Sequence, residues 1–405
     1  MANVLLDKKI ILGVCGGIAA YKALDILRLL ISEGARVRVV MTVAAAHFIN
    51  PQTFAVLSGE PVFTELFQEG EGCEVRHIVW AKEADALVVA PATANTIAKM
   101  SYGLADNPLT TLLLAVSCPL LVCPSMNTRM YQNAITQENL NRLKKNGIWI
   151  LEPEYGAMAC GEIGQGRLPA SERVIEEIKK MFTIPDLKGE ICLITAGPTQ
   201  EPLDPARHIS NRSSGKMGYA LARAASRRGA KVVLISGPTS LKSPVDVELV
   251  RVRTADEMSD AVLRYFETAS IILKAAAVSD YRPADIFQHK IKKTGARLVM
   301  DLVKTPDILQ LLGERKEGRI LVGFAAETEK IVENAKSKLK TKNLDLIVAN
   351  DISLADSGFD VDTDRATLIF NNGTIEPLPL LTKDQLAGIV LDRVGEIKRL
   401  KSCNG

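Results

Sequence analysis

Short runs of aliphatic and β-branched residues alternate, along almost the whole chain, with longer segments whose apolar positions recur at helical spacing. Ile10 to Val14, Val37 to Met41, Ala86 to Ala90 and Leu120 to Cys123 predict buried strands, and Ile18 to Ser32 and Thr93 to Tyr102 predict helices between them. Continuous apolar strands joined by helices are the pattern of a parallel sheet covered on both faces. An amphipathic helix over Ser171 to Met181, with Ser171 at its N-cap, ends before Pro185. The alternation then restarts. Ile191 to Thr195, Lys231 to Ile235, Ile271 to Lys274, Ile320 to Phe324 and Leu346 to Val348 predict new strands, with helices near Lys216 to Arg228 and Glu329 to Lys340. The expected fold class is α/β, two doubly wound Rossmann-like domains over residues 1–188 and 189–405. Ligands of such sheets bind beyond the carboxyl ends of the strands, so the loops after Val14, Ala90, Cys123, Thr195, Lys274 and Phe324 are where chemistry is to be sought.

Both halves carry one local phrase, Gly34-Ala35-Arg36-Val37 and Gly229-Ala230-Lys231-Val232. Glycine suits the end of a helix and the valine run the next strand, and two unrelated domains can converge on that solution. A length of 405 residues agrees with more than one core. With 50 Lys and Arg against 47 Asp and Glu, and no basic tail, the net charge of +3 argues against a nucleic-acid partner. Seven cysteines without a C-x-x-C pair fit a reducing cytoplasm better than a disulfide framework or a zinc site. Lys8-Lys9 followed by Ile10 to Ala20 imitates a signal peptide, but Gly13, Gly16 and Gly17 interrupt it and favour strand, turn and helix. The apolar run Leu109 to Pro124 is broken by Pro119 and falls short of the roughly 20 residues of a membrane span.

Three strand-end loops in the first half combine unusual residues. Gly16-Gly17-Ile18-Ala19 offers bare backbone N–H groups at a helix start, an anion site by geometry and dipole, although it is not G-x-G-x-x-G. Pro91-Ala92-Thr93-Ala94-Asn95-Thr96 places hydroxyl and amide groups at a similar turn, and Pro124-Ser125-Met126-Asn127-Thr128-Arg129-Met130-Tyr131 follows the next strand. Tyr155 to Arg167 has four glycines in thirteen positions around Cys160, a density that predicts a mobile flap. His77 is one of four histidines; its chemistry suits a general acid or base, and equally a half-buried structural residue.

Together these motifs resemble the flavin-dependent cysteine decarboxylases, and among them phosphopantothenoylcysteine decarboxylase, over nearly all of residues 8–168. Thr93 stands where that family has Ser, Tyr131 where it has Trp, and Gly17 where Ser is common. The resemblance implies a flavodoxin-like domain holding FMN at Gly16, Gly17, Thr42, Ala92, Thr93, Asn95 and Met126. It implies that the substrate thiol is oxidised to a thioaldehyde, whose electron-withdrawing carbon lets the carboxylate leave as CO2. Asn127 would hold the carboxylate, His77 would assist proton movement at the thiol, and Cys160 would protonate the enethiolate. Flavin sites of that family lie between subunits, so a homo-oligomer with a trimer-based core is implied.

In the second half, Asp204-Pro205-Ala206-Arg207-His208-Ile209-Ser210-Asn211-Arg212-Ser213-Ser214-Gly215-Lys216 gathers cations, hydroxyls and glycine before a helix, a phosphate-binding composition without P-loop spacing. Lys274 to Pro283 ends a strand with small residues and Asp280, and Lys290-Ile291-Lys292-Lys293 follows; a basic run by itself reads as a solvated face. These motifs resemble phosphopantothenate-cysteine ligase from about Lys188 to Val394. A decarboxylase followed by this ligase is the order of the bifunctional enzymes of coenzyme A biosynthesis.

The implied ligase chemistry is activation of 4′-phosphopantothenate by CTP as an acyl-cytidylate, with loss of pyrophosphate, then attack by cysteine's amine. Arg207 and Asn211 would grip the substrate and Lys290 would offset phosphate charge. The nucleotide falls to Lys274, Ala275, Ala276, Asp280, Lys290, Pro306, Asp307, Ile308, Leu309, Phe324, Lys338 and Lys342. Mg2+ or Mn2+ would sit at Asp280, and a dimer of ligase domains is implied. Two other classes stay open. A flavin-binding regulatory protein would ordinarily lack the flap cysteine, and an NAD(P) oxidoreductase would carry G-x-G-x-x-G after a first strand.

Overall fold

The computed structural model describes residues 4–67, 75–159, 161–292, 298–327, 329–351 and 361–403. Contacts divide the chain into two units, Ala2–Thr183 and Ile184–Gly405. Residues 184–188 pack with the second: Leu187 is fully buried in its core, and Asp186 pairs with the Arg228 guanidinium.

The first unit is built on β1 (Lys9–Val14), β2 (Arg36–Met41), β3 (Ala86–Ala92), β4 (Leu120–Pro124) and the short β5 (Trp149–Ile150), all parallel in the order β2-β1-β3-β4-β5. This is the flavodoxin-like order, with its switch point between β1 and β3. Alternation along β1 sends Ile10, Leu12 and Val14 into one core and Ile11 into the other, which is why the strand reads as apolar throughout. The helix Ser171–Met181 lies where the sequence places it, but Ala170 is the N-cap. The Ala170 N–H donates to Glu154 Oε1 at 3.1 Å, which fixes the extended entry one residue earlier than Ser171. The glycine-rich segment is an antiparallel hairpin of β6 (Glu154–Ala157) and β7 (Ile163–Arg167). Two of its glycines serve close approach: a Cβ on Gly166 would lie 2.1 Å from the Met126 carbonyl oxygen, and one on Gly164 2.3 Å from Thr128 Oγ1, whereas one on Gly161 would meet nothing within 4 Å.

In the second unit the strands are β8 (Ile191–Ala196), β9 (Gln200–Asp204), β10 (Arg207–Ser210), β11 (Lys231–Ser236), β12 (Val247–Arg251), β13 (Ile271–Lys274), β14 (Tyr281–Pro283), β15 (Leu302–Lys304), β16 (Ile320–Glu327), β17 (Leu346–Asp351), β18 (Thr363–Phe370) and β19 (Ile375–Thr382). The main sheet runs β12-β11-β8-β13-β16-β17-β18-β19, parallel through β17 and antiparallel at β18 and β19. Helices Lys216–Arg227 and Lys383–Cys403 cover one face, with Tyr219, Leu221, Leu386 and Val390 in the core. Helices Ala255–Phe266, Ile308–Glu314 and Ile331–Thr341 cover the other, with Met258, Leu312 and Leu339. No helix among the described residues is long and apolar enough to cross a membrane.

The turns that end β8 and β11 interlock: a Cβ on Gly237 would meet the Pro198 carbonyl oxygen at 1.8 Å, and Gly215, at φ +77°, leaves only 2.7 Å to Thr239 Cγ2. Gly237→Ala should therefore destabilise the protein by about 2 kcal/mol or more, the range of a core clash. A urea-unfolding midpoint equal to that of the unsubstituted protein would refute this interlock.

Candidate active sites

In the first unit the ends of β1, β3 and β4 come together. The Cys15 N–H donates to the Pro91 carbonyl at 3.2 Å, the Ser125 N–H to the Ala92 carbonyl at 2.9 Å, and the Thr42 N–H to the Val14 carbonyl at 3.1 Å. Gly16 is demanded by packing, since a Cβ there would lie 2.4 Å from Ala44 Cβ. A Cβ on Gly17 would meet only Thr93 Cγ2, at 3.9 Å, and the helical turn Ile18–Tyr21 that starts there has no side-chain cap. Open space and uncapped N–H groups make this end of the site fit a phosphate. Thr42 and Thr93 each cap a helix, accepting from Ala45 and Thr96. Ala92 is buried and Asn95 exposed. Cys15 Sγ donates to Thr96 Oγ1 at 3.2 Å, and burial pushes this thiol's pKa up, so it is a packing group.

The hairpin lies against the Asn127 loop. The Met126 N–H donates to the Gly166 carbonyl at 3.0 Å, Thr128 Oγ1 to Met158 Sδ at 3.7 Å, and Asn127 Nδ2 to Glu162 Oε2 at 2.7 Å. Lys22 Nζ, on the helix after the first loop, donates to the Leu168 carbonyl at 2.9 Å and ties the hairpin's end to that helix. Cys160 itself lies outside the described residues. His77 is half-buried on the helix Arg76–Glu83, and no hydrogen bond among the described residues joins it to the Asn127 loop.

In the second unit a cavity of about 670 Å³ opens at the carboxyl ends of β13, β16 and β17. Every residue that the resemblance gives to the nucleotide lines it, apart from Lys290 and Lys342, and so does Asn211. Lys342 reaches it indirectly through an ion pair with Asp307, and Lys338 Nζ lies 2.6 Å from Glu327 Oε1. The helix Lys216–Arg227 points its uncapped start at the cavity. Lys274, the last residue of β13, is 7% exposed. Burial pulls its ammonium down to about 8, against a weaker opposing pull from Asp307. Among the described residues no three His, Cys, Asp or Glu side chains converge as a metal cage, and Asp280 is an exposed single carboxylate.

Arg207 and Lys290 do not line this cavity. Arg207 is not at the helix start with Lys216 but on β10, bonded to Asp204 Oδ2 at 2.9 and 2.6 Å and to the Ile291 carbonyl at 2.8 Å. Asp204 Oδ2 also accepts from the Ile291 N–H at 3.1 Å, so one buried carboxylate holds the Arg207 hairpin and the Lys290 segment together. Burial opposes its ionisation, but Arg207 and the Ala206 and Ile291 N–H groups outweigh it and hold the carboxyl at about 2. Sequence reasoning missed Lys216's neighbours in the cavity, Asn350, Asp364 and Lys383. The loop after the Leu346 strand was a usable signal for Asn350; Asp364 and Lys383 lie in the antiparallel extension, whose pattern is not doubly wound.

Two family models match the chain, Flavoprotein over residues 3–183 and the DNA/pantothenate metabolism flavoprotein C-terminal domain over residues 187–397. The coenzyme A biosynthesis bifunctional protein CoaBC of Bacillus subtilis (strain 168) is 43% identical over 397 residues, covering 97% of this chain and 98% of that one. CoaBC of Escherichia coli (strain K12) is 45% identical over 395 residues, covering 96% and 97%. The chain belongs to this bifunctional coenzyme A biosynthesis family. A solved C-terminal domain of a CoaBC protein is 41% identical, with a TM-score of 0.46, covering 53% of this chain and 97% of that one. Family membership agrees with the sequence resemblance in both halves: the chain is a coenzyme A biosynthesis enzyme with a flavoprotein domain ahead of its second catalytic domain.

Lys274→Met should raise the thermal midpoint at pH 7. The native state gives up this proton near 8 and the unfolded chain near the ordinary 10.5, so wild-type stability rises between those values and the variant's advantage fades. Thermal melts at pH 7 and pH 10 check the sign; an equal or lower midpoint for the variant at pH 7 contradicts it.

Proposed function

We propose that the second unit joins cysteine to 4′-phosphopantothenate through an acyl-cytidylate made with CTP, and that the first unit decarboxylates the product to 4′-phosphopantetheine. The observation that carries this reading is a single chain, matched end to end by bifunctional relatives, with a site at the strand ends of each unit.

In the first unit, the open Gly17 end and the uncapped turn after it suit the phosphate of FMN, with Ala92, Thr93, Asn95 and Met126 beside it. FMN, when bound, supplies reversible two-electron redox chemistry at the thiol-bearing carbon. Asn127 Nδ2 already donates to one carboxylate, that of Glu162, and a substrate carboxylate can take the same bond. Decarboxylation needs a proton returned to carbon, and Cys160 supplies it, with His77 assisting at the thiol.

In the second unit, the helix start at Gly215 and Lys216 receives phosphate, and Lys274 gains its full charge as an anion enters. Mg2+ or Mn2+ binds Asp280 together with substrate phosphate oxygens, because one carboxylate alone is a poor cage. Asn211, held by its bond from Nδ2 to the Val278 carbonyl at 3.0 Å, grips the substrate from within the cavity, while Arg207 and Lys290, which lie outside its lining, would reach substrate and phosphate only from the neighbouring Asp204-anchored segments. The partners are small molecules, and the assembly is a cytoplasmic homo-oligomer with a trimeric decarboxylase core and paired ligase units. Exposed apolar residues of the first unit, Ile18, Tyr21 and Phe48 among them, suit such an interface.

The purified protein should be yellow and release FMN; a colourless protein that takes up no flavin overturns the first half. Cys160→Ala should still release CO2 yet stall before 4′-phosphopantetheine, and full turnover would remove Cys160 from the mechanism. Incubation with 4′-phosphopantothenate, cysteine, Mg2+ and CTP or ATP, read by mass, tests both halves. Amide formation should prefer CTP and fall at least tenfold in Asn211→Asp.

A further inference from the structure

The glycine-rich hairpin of the first unit meets the Asn127 loop through contacts of two kinds. The Met126 N–H donates to the Gly166 carbonyl at 3.0 Å and Thr128 Oγ1 to Met158 Sδ at 3.7 Å, and both bonds seat the hairpin. The other contact is made by a charged group: the Glu162 carboxylate accepts from Asn127 Nδ2 at 2.7 Å. A bond to an ionised acceptor is stronger than one between neutral groups, and it is the bond that a ligand carboxylate would make with the same amide.

The surroundings let this bond be exchanged while the seating bonds stay. Asn127 Oδ1 accepts from the Arg129 N–H at 2.8 Å, which sets the amide plane without help from Glu162 and leaves Nδ2 as the end facing the hairpin. The Glu162 backbone has its own anchor, because its carbonyl accepts from the Met158 N–H at 2.9 Å, and the Gly161 N–H donates back to the Met158 carbonyl at 3.0 Å. Glu162 is exposed, and a Cβ on Gly161 beside it would meet nothing within 4 Å, so the side chain has room to turn into water. Water hydrates a released carboxylate, and an exposed polar contact of this kind holds only weakly. Two carboxylates drawn to one amide nitrogen also repel each other, so one occupant excludes the other.

We propose that Glu162 is a built-in competitor for the substrate carboxylate, an inference that rests on the reading of Asn127 as the group that holds that carboxylate. Glu162 occupies the Asn127 donor until substrate takes it, and it returns once the carboxylate has left as CO2. While Glu162 is in place only a fraction of molecules offers the donor, and the apparent affinity for a carboxylate ligand falls by that fraction. The decarboxylated product has no carboxylate to contest the bond, so Glu162 weakens substrate binding and leaves product binding alone.

The test is decarboxylation of 4′-phosphopantothenoylcysteine by the full-length holoenzyme, followed by CO2 release, with 4′-phosphopantetheine as the competing ligand. Competition predicts a substrate KM lowered at least about threefold in Glu162→Ala, the change falling on KM and not on kcat. Glu162→Gln, whose neutral oxygen is a weaker acceptor, should show a smaller drop, and the inhibition constant of 4′-phosphopantetheine should move less than about twofold in both variants. Removing a negative charge would by itself tighten both phosphate-bearing ligands alike, so an equal fall in both constants overturns the proposal. A Glu162 that braces Asn127 predicts the reverse, a raised KM in Glu162→Ala restored in Glu162→Gln; that result overturns it, as does an unmoved KM. Asn127→Leu isolates the reading underneath: an unchanged substrate KM there means that Asn127 does not hold the carboxylate. A KM raised at least about tenfold in Asn127→Leu, with the Glu162 variants unmoved, removes the competitor alone.

Discussion

Burial of a parallel sheet on both faces is the constraint on which both units depend. A strand such as Lys9–Val14 or Ile191–Ala196 has no solvent side, so it can carry almost no polar group along its length. Chemistry is pushed to the strand ends, where the backbone turns and helices begin. The first unit uses this by converging the ends of β1, β3 and β4, and the second by opening a cavity at those of β13, β16 and β17. The glycines at these ends, Gly16, Gly215 and Gly237, are the places where neighbouring loops come too close for any side chain.

Much of this was legible in the residues, because apolar strands and amphipathic helices have different periods and the strand-end loops follow from them. Ile271–Lys274 was read to the residue, and Lys274, Asn211 and Asp280 do meet in one cavity. The parallel edge strands β5 and β12 escaped, and so did everything antiparallel. Pro377 and Pro379 disguise β19, an edge strand where a missing N–H is tolerated, and with β19 unread neither β18 nor the helix start at Lys383 has a place. Side-chain commitments were also invisible: composition puts Arg207 beside Lys216, whereas the Asp204 carboxylate takes it to another loop. Glycine density is ambiguous for a related reason, since the same residue type stands in open space at Gly161 and at close approach at Gly164 and Gly166.

The two sites differ in how charge is handled. The first relies on backbone N–H groups and neutral caps, with Asn127 and Glu162 as its polar contact against the hairpin. The second keeps cations buried or paired. Lys274 is held partly discharged by its surroundings, while Lys338, Lys342 and Lys383 each face a carboxylate. Any anion entering this cavity would compete with internal acids for those paired lysines and would favour the charged form of Lys274.

Asp204 has a consequence for how substitutions act in the second unit. Because one carboxylate bonds the Arg207 guanidinium and the Ile291 backbone together, the two basic segments are mechanically a single piece. With its ionisation held near 2, that joint stays intact at every pH at which cells live. A substitution in either segment that displaces it from Asp204 displaces the other with it, so the hairpin and the Lys290 segment are constrained jointly.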